Sequence, residues 1–200
     1  MKTLAGFPCL YTPLRKEKKA RRSGPKTLMK PMYTVPAQDS RIDPTTIKVV
    51  PRRIPRALRE RRQWVSWRYE ERGDKRTKVP YAPGTKNRAQ STDLMSWGTF
   101  QEALSAYEGG MCEGIGFVFC SADPFVGIDL DHCRDPETGE MDAWAQKVLA
   151  RFTQALLIEV SPSGKGVHVI TRGSLRDGAK GESIEIYGQG RFFAVTGVAP

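Results

Sequence analysis

Three short runs in the second half of the chain constrain its fold most. "FVGIDLD" (125–131), "GVHVI" (166–170) and "SIEIY" (183–187) alternate apolar and polar residues with a period of two. That period belongs to a half-buried β-strand, because successive side chains point to opposite faces. Ile128 and Leu130 then share one face, and Asp129 and Asp131 the other. Val167 and Val169 oppose His168, and Ile184 and Ile186 oppose Glu185. Each strand offers an apolar side to a core and a polar side away from it. If these strands are neighbours, three carboxylates and a histidine meet on one surface.

Such a surface needs a counter-charge. Two carboxylates about 5 Å apart, at an effective dielectric near 20, repel by roughly 3 kcal/mol. Either one of them holds a proton or a cation sits against them. Oxygen-only donors suit a hard divalent ion such as Mg²⁺ or Mn²⁺. Two such ions serve phosphoryl or nucleotidyl transfer by assisting both the attacking and the leaving oxygen. The plainer alternative is a pair of half-exposed aspartates at a strand end.

Two further segments carry polar groups suited to an anion. In "SPSGKGVHV" (161–169), small residues and two glycines allow close backbone approach, while Ser163, Lys165 and His168 add donors and charge. The Walker A spacing is absent, and the same residues read equally as a glycine-rich hairpin turn. In "EIYGQGRFFAVTG" (185–197), Glu185 precedes a glycine turn and Arg191 opens the next strand. Arg191 is placed either to clamp a phosphate or to sit on the surface.

The rest of the chain divides by charge. Residues 1–62 hold 17 Lys+Arg against 4 Asp+Glu, and residues 63–200 hold 15 against 18, so the net charge of +10 belongs to the first third. Prolines recur at 8, 13, 25, 31, 36, 44 and 51, and few apolar residues there repeat with any period. Residues 1–50 are therefore expected to be a disordered basic arm, suited to a polyanion or simply solvated. The folded domain is expected over residues 51–200.

Within that domain, "IPRALRERRQ" suggests a short helix with Pro55 in its first turn. "WVSWRY" and "TKVPYAP" suggest a hairpin. "STDLMSWGTFQEALSAY" predicts a helix capped by Ser91 or Thr92, and Asp142 opens a second helix expected to run to Leu157. The pattern is α+β with a largely antiparallel sheet. Four cysteines without framework spacing read as reduced thiols. The N-terminal apolar stretch is short and broken by Pro8 and Pro13, and no run is long enough for a membrane span. A cytoplasmic protein without a membrane partner is expected. A zinc site from Cys112, Cys120, His132 and Cys133 fits no standard spacing.

With its three motifs in this order, the chain resembles the archaeo-eukaryotic primase superfamily. Within it, the chain is most similar to the bifunctional primase/polymerase N-terminal domain of phage and plasmid replication proteins. That family carries an acidic D-x-D motif, an S-x-H-type motif and a third acidic motif. Here they fall on Asp129 and Asp131, on the segment from Ser163 to His168, and on Glu185. The S-x-H element is stretched in this chain. The similarity runs from about Gln63 to the last residue.

The resemblance implies an RRM-like sheet bearing the carboxylates, with packed helices and an N-terminal α/β unit beside it. It implies a DNA primase/polymerase in which Asp129, Asp131 and Glu185 hold two Mg²⁺ or Mn²⁺ ions. Ser163, Lys165 and His168 would lie against the triphosphate of a (d)NTP, with Lys78 and Arg191 as further phosphate or template contacts. The partners implied are a DNA template and a replicative helicase on the same or another chain. Family members usually continue past the point where "VTGVAP" ends this chain, which leaves three expectations: a fragment truncated at the C-terminus, a truncated gene product, or a unit completed by another chain. A metal-dependent nuclease would use the same carboxylates, and a non-catalytic nucleic-acid-binding module would use only the basic arm.

Overall fold

The computed structural model describes residues 46–175 and 177–200. The expected basic arm, as far as residue 45, lies outside the described residues. Residues 46–50, placed in that arm by their sequence, bond into the folded part. Ile47 N–H donates to Pro162 O, and Val50 N–H donates to Thr196 O.

The described residues form strands β1 (Trp64–Arg72), β2 (Lys75–Tyr81), β3 (Gly114–Val118), β4 (Phe125–Leu130), β5 (Leu157–Val160), β6 (Val167–Arg172), β7 (Ala179–Lys180), β8 (Ile184–Tyr187) and β9 (Phe192–Val195). The helices are α1 (Arg56–Arg59), α2 (Phe100–Glu108) and α3 (Ala143–Leu149). Each strand pairing is antiparallel. The fold is α+β with few helices, and its strands form two sheets rather than one. The orders are β2-β1-β3-β9 and β5-β6-β4-β8-β7.

Local chemistry explains most boundaries. β1 and β2 form the expected hairpin around Gly73, whose φ of 60° suits a tight turn. Pro80 is tolerated in β2 because that strand is an edge. Helix α2 starts later than the sequence suggests. Gly98 exchanges two backbone hydrogen bonds with Trp64, which holds the chain extended there. Thr99 then caps the helix, in a capping box with Glu102. Helix α3 follows Asp142 as expected but ends at Leu149 rather than Leu157. Arg151 and Phe152 bond back only three residues, a tightening that closes the helix. Phe152 and Ala155 still pack on the core, so the apolar pattern outlasts the helix.

The five-stranded sheet separates two environments. Ile128, Leu130, Val167, Val169, Ile184 and Ile186 pack against Ala145, Trp144 and Val148 of α3. The other face changes character along the strands. Leu157, Ile170, Gly127 and Tyr187 form one register row, toward an aromatic core with Phe117, Phe119, Phe125 and Phe193. Two positions further along each strand, the residues become ionisable.

Gly127 lets the sheets meet. A Cβ there would lie 2.6 Å from Phe193 Cε2 and would also press on Phe119, and both rings are buried. Gly127→Ala is therefore expected to destabilise the fold by roughly 1–3 kcal/mol, the usual penalty for overpacking a close-packed core. Chemical denaturation measures this; an unchanged midpoint would contradict the packing account.

Candidate active site

Strand register assembles the site. Lys180 pairs with Glu185, Glu185 with Asp129, Asp129 with His168, and His168 with Glu159. Directly opposed residues share a face, with Cβ atoms about 4.5–5.5 Å apart. Five strands thus place five ionisable side chains in one row across the sheet. Along that row the groups are ammonium, carboxylate, carboxylate, imidazole, carboxylate. Asp129 and Glu185 are its one pair of like-charged neighbours.

The ends of the row are well satisfied. Glu185 pairs with the Lys180 ammonium and accepts a hydrogen bond from the Tyr187 hydroxyl at 2.6 Å. These two partners hold its carboxyl below the usual range, against a smaller effect of burial. At the opposite end Glu159 is fully buried, and its Oε2 accepts from Thr196 N–H at 3.0 Å and Gly197 N–H at 2.6 Å. Its Oε1 stands 3.4 Å from His168 Nδ1. The His168 ring stacks on Phe193, with centroids 4.8 Å apart and planes at 27°.

The centre is not satisfied. Asp129 Oδ1 is buried and has no hydrogen-bond partner, and His168 Nε2 is 3.6 Å from it. Burial pushes the Asp129 carboxyl above its ordinary range, and the Asp131 and Glu185 charges push the same way. His168 and Lys78 oppose them. The net effect is a carboxylate held in a place that disfavours its charge.

A cavity of about 590 Å³ opens over this row. Asp129, His168 and Glu185 line it from the five-stranded sheet; Arg76 and Lys78 of β2 and Arg191 before β9 bring positive charge to it. Lys78 is half-buried, and burial pushes its ammonium below the usual range while Asp129 and Asp131 pull it back up. Its charge therefore acts directly on the two aspartates.

The other expected site residues lie beside this row and not in it. β4 ends at Leu130, so Asp131 sits one residue beyond it, exposed, with its N–H donated to Ser183 O at 2.9 Å. His132 follows with a φ of 51°, an uncommon value for a residue with a side chain, and it too lines the cavity. Ser163 and Lys165 are exposed in the hairpin loop joining β5 and β6, outside the cavity lining. Gly166 fixes that loop against β4: a Cβ there would lie 2.7 Å from Leu130 O and 3.6 Å from Asp131 Cα. Among the described residues, no three His, Cys, Asp or Glu side chains stand close enough to hold one ion, and this includes the cysteines considered for zinc.

Several participants escape a motif search: Glu159, Lys180, Tyr187, Arg76 and Phe193. Glu159 carried the same signal as Asp129, a lone carboxylate in the otherwise apolar run "LIEV". Arg76 lies two positions from Lys78, on the same face of β2.

No protein-family model matches the chain. Over 149 residues, 71% of the chain, it is 38% identical to a protein described as a DNA primase-polymerase from Nitratiruptor phage NrS-1. The match covers 20% of that relative, so the chain spans about a fifth of its length. No helix among the described residues is long and apolar enough to cross a membrane.

The raised Asp129 pKa has a sign that can be tested. A carboxyl whose folded pKa is raised stabilises the fold below its unfolded pKa and loses that contribution as pH rises through the folded value. Asp129→Asn should therefore raise the thermal midpoint of the divalent-free protein at pH 8, by about 2–4 °C per kcal/mol of strain relieved. The gain should fade as pH falls into the ordinary aspartate range. A lower midpoint at pH 8 would contradict the reading.

Proposed function

Because the chain carries a primase-polymerase domain, we propose that it catalyses template-directed nucleotidyl transfer. A 3′-hydroxyl attacks the α-phosphate of a (d)NTP paired to a DNA template, and pyrophosphate leaves. The observation that carries this reading is the opposition of charges within one cavity. Carboxylates of β4 and β8 lie on its floor, while Arg76, Lys78 and Arg191 bring cations to it. A nucleoside triphosphate with its divalent ions has that same alternation of charge.

Asp129, Asp131 and Glu185 are assigned the metal ions. Their donors are all oxygen, and the unpartnered Oδ1 of Asp129 is a free ligand atom, which fits Mg²⁺ or Mn²⁺. A bound pair of such ions would supply charge stabilisation at the attacking and leaving oxygens. Lys180 occupies Glu185 in their place and has to release it. Lys78, Arg76, Arg191 and His168 bind and orient the triphosphate through charge-assisted hydrogen bonds. Ser163 and Lys165 are assigned to the same triphosphate from the loop packed beside the end of β4.

In this reading the five-stranded sheet is the RRM-like unit bearing the carboxylates. The four-stranded sheet with α2 is the N-terminal unit beside it. The biological setting is replication of phage or plasmid DNA, with a helicase on the same or another chain.

The test is extension of a labelled primer on a template with dNTPs and Mn²⁺. The protein should lengthen the primer, and Asp129→Asn combined with Asp131→Asn should reduce synthesis by at least about 100-fold. DNA binding by the double variant should stay close to that of the parent. Primer degradation instead of extension, or synthesis surviving in the double variant, would refute the assignment.

A further inference from the structure

His168 does not face the cavity unaided. Its ring is gripped from three sides: Phe193 stacks on its plane, Asp129 Oδ1 stands 3.6 Å from Nε2, and Glu159 Oε1 stands 3.4 Å from Nδ1. Glu159 has no exposure to solvent and lies outside the cavity lining. A buried carboxylate is costly unless its oxygens are bonded. Here Oε2 is committed to the N–H groups of Thr196 and Gly197, just past β9. That leaves Oε1 free to face the imidazole. The carboxylate is thus anchored by backbone on one side and presents an acceptor on the other.

We propose that Glu159 is a positioning residue that acts through His168. Its carboxylate accepts from Nδ1–H and supports a doubly protonated ring, whose Nε2–H donates to the triphosphate in the cavity. Which nitrogen of a histidine carries a proton is set by the hydrogen bond made at the other. A carboxylate behind the ring keeps the proton on Nδ1 and stabilises the imidazolium that forms when Nε2 is protonated too, as the aspartate does in a Ser-His-Asp triad. Register adds to the argument. Glu159 is the Cα partner of His168, which is in turn the Cα partner of Asp129, so the contact is built into the β5–β6–β4 ladder. The inference rests on the nucleotide-binding reading above for its purpose, though not for its geometry.

Glu159→Gln makes a sharp test. Its carboxamide keeps the shape, and its oxygen remains the only group able to accept from the N–H groups of Thr196 and Gly197. Its amide N–H must then face Nδ1, which forces that nitrogen to become an acceptor. The chain has only two histidines, so ring signals in a long-range ¹H–¹⁵N spectrum are assigned with a His168→Ala variant. The parent should show Nδ1 of His168 protonated, and Glu159→Gln should show it bare. In Mn²⁺-dependent incorporation of dATP, KM should rise about tenfold, with kcat changing less. Glu159→Gln should add no further loss in the His168→Ala background.

A bare Nδ1 in the parent overturns the proposal, and this holds even where the variant fails to fold. So does an Nδ1 signal that is unchanged by the substitution, or an equal loss of dATP incorporation in the His168→Ala background. A parent protein that incorporates no nucleotide while its Nδ1 is protonated refutes the polymerase reading and leaves the positioning contact standing.

Discussion

Two carboxylates set directly opposite each other on neighbouring strands repel. β4 and β8 hold Asp129 and Glu185 in that relation by their pairing register. Nothing in the backbone relieves the repulsion, because Asp129 Oδ1 is buried without a hydrogen bond. The surroundings compensate at a distance: Lys180 neutralises Glu185 from β7, His168 approaches Asp129 from β6, and Lys78 acts on Asp129 and Asp131 from β2 of the other sheet. Each of these groups comes from a different strand. The sheet is organised around a pair of like charges of which it pairs only one, Glu185, with an ammonium of its own, and this makes the row a site and not merely a polar surface.

The same constraint ties the site to the core. His168 is held by Phe193, and Phe193 reaches the five-stranded sheet because Gly127 has no side chain. The aromatic cluster and the ionisable row are successive register rows of one sheet face. Packing that keeps the two sheets together therefore also fixes the angle of the imidazole. Glu159 extends this link, since its carboxylate binds the backbone just after β9 and faces His168 at once.

The period-two signal was legible wherever one face is buried by α3. Ile128, Leu130, Val167, Val169, Ile184 and Ile186 fall on one side as their spacing predicts, which put Asp129, His168 and Glu185 together on the other. Register was not legible. Alternation identifies a face but not a partner, so the opposition of Lys180 to Glu185 and of Glu159 to His168 emerged only with the ladders. Asp131 shares the parity of Asp129 but lies beyond the end of β4, and the left-handed turn at His132 follows it. Alternation alone does not show where a strand stops. The division into two sheets was equally hidden, because β3 and β4 are both runs of strand formers joined by a short turn. The resemblance to primase-polymerases rested on motif order, and it agrees with the relationship to the phage protein.

The most direct measurement is the anomalous scattering of Mn²⁺ in crystals grown with a non-hydrolysable dNTP. The account predicts a Mn²⁺ peak within ligand distance of both Asp129 and Glu185, with the Lys180 ammonium displaced from Glu185 and the triphosphate against Lys78 and His168. A bound nucleotide with no peak between those two carboxylates, or with the Lys180–Glu185 pair intact and the metal elsewhere, would contradict it.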